Sequence, residues 1–98
     1  MSNKESINSL YARIIKKGNI IDSIQAAYQL SDSKTIEKEI KKQKLLEALL
    51  KTPPEVKITI IDILWNPSYL DDEVIPYIIQ LSRDPDTEVR KKSVELLG

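Results

Sequence analysis

Residues 54–65, PEVKITIIDILW, can be accommodated in only one kind of surrounding. At about 100° per residue, Val56, Ile60, Ile63 and Leu64 form one apolar stripe, and Ile58, Ile61 and Trp65 form a second on a different face. Only Lys57, Thr59 and Asp62 interrupt the girdle. A helix of this kind has to be covered from more than one side. It therefore belongs in the middle of a stack, with a neighbour before it and another after it.

The rest of the chain supplies the neighbours. Ser2 followed by Glu5 fits a capping box for a first helix, in which Ile7, Leu10, Tyr11, Ile14 and Ile15 recur at helical spacing. Lys16 and Lys17 suit the negative end of its dipole, and Gly18 supplies a stop. Asn19 can cap a second helix, with Ile20, Ile21, Ile24, Ala27 and Tyr28 expected inward. The connection is so short that the two helices must form a hairpin. A third segment, residues 34–51, starts an apolar stripe at Ile36 and Ile40 that runs into Gln43 and Glu47, whereas Leu45, Leu46, Leu49 and Leu50 lie elsewhere on the wheel. A bend or break near Gln43 is expected. Pro54 suits the first turn of the central helix, and Asn66-Pro67-Ser68 is a turn signal after it. In a fifth segment, residues 70–82, Pro76 would cost about 3 kcal/mol in a straight interior, so a kink or late start is expected there. Asp84-Pro85-Asp86 leads into a last helix, 87–97, with Val89, Ser93, Leu96 and Leu97 on one face. No segment alternates with period two. The reading is an all-α single domain over residues 1–98, with six helices in three hairpins.

Composition narrows the function. With no cysteine and no histidine there is no disulfide or thiol chemistry, and zinc and haem lose their usual ligands. No histidine is available to activate a serine, and the two glycines, Gly18 and Gly98, cannot make a phosphate-cradling loop. The expectation is a non-enzyme without cofactor or metal. Met1 to Glu5 lacks an apolar signal core and no apolar run approaches the ~18 residues of a membrane span, so a soluble cytoplasmic protein is expected. The formal net charge is zero, but residues 1–52 carry ten Lys/Arg against six Asp/Glu, and residues 53–98 carry five against nine. A local positive field can exist in the first half without making the whole molecule a polyanion binder.

Internal similarity is the most informative pattern. Glu88-Val89-Arg90 echoes Glu55-Val56-Lys57 at a shift of 33 residues. The same shift pairs Ser93 with Ile60, Leu96 with Ile63, Leu97 with Leu64, Ile78 and Ile79 with Leu45 and Leu46, and Pro76 with Gln43. A unit of bent helix, tight turn and straight helix at that period is a solenoid repeat. Ile78–Gly98, with its Asp-Pro-Asp turn followed by Val89-Arg90 and with Pro76 ahead of it, resembles a HEAT repeat. The resemblance is weaker over Ile36–Trp65, where Lys51 and Lys57 replace the turn aspartate and the arginine, and weakest over residues 1–32. It implies a short right-handed α-α superhelix. In such arrays the turn aspartate and the arginine form a ladder between repeats, which makes Asp84 and Arg90 structural and Lys57 a partner for Asp84.

Two functional expectations follow. A repeat architecture without catalytic ligands points to a protein-interaction or scaffold module, whose partner is another protein or a second copy. Its candidate contacts are Trp65, Tyr69 and Tyr77, as aromatic anchors, and Lys91, which stands where the central helix has Ile58. The alternative is weak, sequence-blind nucleic-acid binding through Lys34, Lys38, Lys41, Lys42 and Lys44, although Glu37 and Glu39 interleave and no aromatic residue is there to stack a base. Asp71, Asp72 and Glu73 are the one acidic cluster. As consecutive residues at a helix start they are expected to diverge, capping the helix rather than holding an ion.

Overall fold

The computed structural model describes residues 6–98, and over these the chain is all-helical: α1 (Ile7–Ile15), α2 (Ile20–Asp32), α3 (Lys38–Leu49), α4 (Pro54–Leu64), α5 (Val74–Leu81) and α6 (Thr87–Leu97). The capping box expected at Ser2 and Glu5 lies outside the described residues. The cap on α1 is Ser6, whose Oγ accepts from the Ser9 amide. Gly18 takes φ +99°, which reverses the chain after α1, and Asn19 caps α2 by accepting from the Asp22 amide. Pro54 stands at the first turn of α4. Asp86 caps α6 by accepting from the Glu88 and Val89 amides.

The helices pair as α1–α2, α3–α4 and α5–α6, and the pairs stack. One row runs α2–α4–α6, and α1 packs on α3 in a second row. The Cα envelope is a slab of 45 × 30 × 15 Å, thin enough for two layers of helices. In the middle of the long row, α4 touches α2, α3 and α6. Val56, Ile60, Ile61 and Leu64 are wholly buried there, Ile63 nearly so, and Ile58 and Trp65 pack half-buried against the same core. Each fully enclosed side chain contributes about 1.5–3 kcal/mol of transfer free energy, so this helix is the main apolar anchor of the stack.

The 33-residue period governs the row. Pro54 and Thr87, which open α4 and α6, are 33 residues apart, as are Leu64 and Leu97, which close them. One period earlier, α2 covers the same window with one extra residue at each end. The repeat therefore extends structurally into the first hairpin, where the sequence resemblance is weakest.

Two sequence expectations are corrected and a third is met. In α2 the inward residues are Ser23, Ala26, Ala27 and Leu30, whereas Ile21 is 72 % exposed and Ile20 and Tyr28 are also exposed. Small residues let α2 approach its neighbours closely, and the Gly18–Asn19 turn fixes a phase that leaves the two isoleucines outside. The third segment does not break near Gln43. Residues 33–37 form a turn, Ile36 packs on the core ahead of the helix, and α3 runs uninterrupted with Lys42, Leu45, Leu46, Ala48 and Leu49 buried and Ile40 exposed. The fifth helix takes the late start: Pro76 is the third residue of α5, where a missing amide hydrogen breaks no intrahelical bond. Asp71 prepares that start, with Oδ1 accepting from the Glu73 and Val74 amides.

Candidate interaction surfaces

The open end of the long row is the face of α6 that carries Lys91, Val94 and Leu97. α4 has a helix before and after it in the row, whereas α6 has only α4 before it. One period earlier the corresponding residues are Ile58, half-buried, and Ile61 and Leu64, both 0 % exposed. Val94 is 57 % exposed and Leu97 39 %. The difference measures what a following hairpin covers. Val89 and Ser93, on the opposite side of α6, are fully buried, and Lys92 is held to Asp62 of α4 at 2.7 Å, so the orientation of α6 is fixed. The Asp62 carboxylate beside it raises the Lys92 pKa. Lys91 is exposed.

The aromatic candidates are placed elsewhere. Tyr69 is a core residue, 7 % exposed, and its hydroxyl donates to the Ser31 carbonyl at 3.2 Å. It follows a turn in which the Asn66 carbonyl accepts from the Tyr69 and Leu70 amides, and that turn folds the ring inward, away from any partner. Trp65 and Tyr77 are half-buried against the core.

Of the five lysines from 34 to 44, three are engaged within the chain. Lys41 Nζ donates to the Ser31 and Ser33 carbonyls at 3.0 and 2.7 Å, closing the end of α2. Lys44 pairs with Glu47 at 3.2 Å and lies 5.0 Å over the Tyr11 ring. Lys42 is buried, with Nζ 2.6 Å from Asp71, 2.8 Å from Glu73 and 3.1 Å from Glu39. Lys34 and Lys38 are exposed.

The Lys42 cluster also corrects the reading of the acidic run. Asp71 and Glu73 converge on one ammonium, because the Asp71-capped turn aims both carboxylates at α3. Gln43 Nε2 adds a donor to Glu73 at 2.8 Å. Hydrogen bonds to Asp71 and then Glu73 raise the Lys42 pKa above the usual lysine range, and the same ammonium lowers those of Asp71 and Glu73. A buried point charge with a long apolar stem thus fastens α3 to the start of α5. Among the described residues no group of three or more acidic side chains has the arrangement of a metal site.

One ladder rung is formed. Lys57 Nζ of α4 lies 3.0 Å from Asp84 Oδ1, tying the second hairpin to the turn of the third. Arg90 does not reach the Asp84 carboxylate. It donates to the Asp84 and Pro85 carbonyls at 2.9 and 3.0 Å and to Thr87 Oγ1, bracing its own turn. Burial pushes Asp84 up, but the Asp86 amide and the Lys57 ammonium outweigh it and its pKa ends below the usual carboxylate range. One period earlier the two rung positions hold Ile24 and Lys51, so the first junction has no such bond.

Sequence reasoning passed over Val94 and Leu97 as partner contacts. The signal was available in the pairing of Leu97 with Leu64: a position that is core in α4 is surface in α6. No helix among the described residues is long and apolar enough to cross a membrane. Compared with family models, with curated proteins and with solved structures, the chain gives no match.

Proposed function

We propose that this chain is a non-catalytic, HEAT-like helical-repeat module that binds other proteins, a second copy of itself included, through the α6 face bearing Lys91, Val94 and Leu97. The observation that carries the reading is the contrast between Val94 and Leu97 and their enclosed counterparts Ile61 and Leu64. A surface whose equivalent in the preceding hairpin is a packed interface already has the shape and apolar character of a helix seat, with Lys91 as its polar rim. The right-handed superhelical path and a cytoplasmic setting belong to the same proposal. The nucleic-acid alternative draws less support, because Lys41, Lys42 and Lys44 are committed to internal partners.

Light scattering after size exclusion, across a concentration series, tests self-association. The mass is expected to rise above the 11.2 kDa monomer with concentration. The Val94→Asp/Leu97→Asp double variant is expected to remain monomeric, because each carboxylate would be desolvated at the centre of the contact. Affinity capture with nuclease-treated lysate extends the test to other partners. Equal capture by the wild type and the double variant, together with a monomer at every concentration, removes the proposal.

A further inference from the structure

We infer that the groove between the first two hairpin turns is a docking site for an acidic linear peptide that carries an apolar side chain between its carboxylates. The inference rests on the interaction-module reading and adds a second, chemically distinct surface to it.

The groove has a volume of about 760 Å³ and is lined by Lys16, Lys17, Ile20, Ile21, Lys51 and Pro53, among others. It opens at the junction that lacks a rung. Where Lys57 and Asp84 bind the second hairpin to the third, the first junction has Ile24 and Lys51, so nothing of opposite charge draws the two turns together. The result is an apolar floor between cationic walls. Lys16 and Lys17 come from the α1–α2 turn and Lys51 from the α3–α4 turn, and no carboxylate is among the lining residues. Lys16, Lys17 and Lys51 have no ion pair within the described residues, and Lys51 lies 5.8 Å over the Tyr11 ring. Asn19 takes the Asp22 amide with its side chain and the Ser23 amide with its carbonyl, which leaves the Ile20 and Ile21 amides at the start of α2 without an acceptor among the described residues.

The occupant follows from these features. Three ammoniums outside any ion pair among the described residues, of which Lys16 alone also acts on a nearby carboxylate, Asp22, stand on both sides of the floor and select an anion with more than one negative group, spaced across the groove. Ile20 and Ile21, 40 % and 72 % exposed, form a floor too open to enclose an alkyl chain but suited to an aliphatic or aromatic side chain laid across it. A short peptide with carboxylates flanking one apolar residue meets both demands. A small amphiphile would need a deeper pocket.

The test pans a random dodecapeptide phage library against the full chain and titrates the enriched peptides by fluorescence anisotropy. The enriched peptides are expected to carry carboxylates on both sides of an apolar residue. Their affinity is expected to fall at least tenfold in a Lys16→Glu/Lys17→Glu/Lys51→Glu variant, several-fold in Ile21→Ser, and progressively with added salt. Circular dichroism is expected to show unchanged helix content in both variants, since these side chains are exposed. Peptides without acidic bias, affinity unaltered by the triple charge reversal, or ready displacement by dodecyl phosphate would each overturn the assignment. Peptides lost only in Val94→Asp/Leu97→Asp would also overturn the groove while leaving the module reading intact. A library that yields no enrichment overturns the groove alone, since the α6 face is tested by mass and capture.

Discussion

At the scale of single residues, two tyrosines make opposite use of the same hydroxyl. Tyr69 Oη donates to the Ser31 carbonyl, so Tyr69→Phe removes one of that carbonyl's two donors and leaves Lys41, and a loss of about 0.5–1.5 kcal/mol is expected. Tyr11 Oη is buried without a hydrogen-bond partner among the described residues. Tyr11→Phe keeps the ring under Lys44 and Lys51 and removes a desolvated polar atom, so a gain of up to about 1 kcal/mol is expected. Urea denaturation of the two variants beside the wild type checks both signs. A stabilised Tyr69→Phe or a markedly weakened Tyr11→Phe would mean that these hydroxyls are satisfied differently.

At the scale of elements, what decides a helix is local at its ends and collective along its face. Gly18, at φ +99°, has open space around its missing side chain, so Gly18→Ala meets no clash and is expected to cost about 1–2 kcal/mol through backbone strain alone. Thermal melting reads that loss, and an unshifted midpoint would show that the turn relaxes to negative φ. The ends of α2, α4, α5 and α6 were legible in Asn19, Pro54, Pro76 and Asp86 because caps and prolines act through the nearest amides. The two-sided burial of α4 was legible because its own residues are apolar on two faces. The inward face of α2 was not: Ile20, Ile21 and Tyr28 are as apolar as any core residue, and only close packing of Ala26 and Ala27 against neighbouring helices selects the other side. Lys42 was illegible for a related reason, since its ammonium is paired by carboxylates contributed from the start of the next hairpin. The lysine-walled groove joins Lys17 to Lys51 and exists only once two hairpins have stacked.

At the scale of the whole molecule, the ion pairs set how stability responds to pH. Asp22, Asp71, Glu73 and Asp84 all have folded pKa values lowered by cationic or amide partners. A lowered carboxylate pKa contributes stability that is fully present above its unfolded value, near 4, and is lost as pH falls through the folded value. Lys42 and Lys92 have raised values, so their contribution is complete below the ordinary lysine pKa and is lost as pH rises through the folded one. With no histidine in the sequence, urea midpoints are expected to be level from about pH 5 to 9 and to decline below about pH 4. Lys42→Met is expected to make the acid decline shallower; an identical acid limb in that variant would show that the Asp71–Glu73 cluster does not govern it. The spacing of α4 and α6 has a different consequence, for how such a molecule can change length. Copying one 33-residue storey in frame would present every buried contact of the row with a counterpart of familiar shape. Adding a single residue inside α4 would instead swivel everything downstream by about 100°, so growth of this stack is quantised.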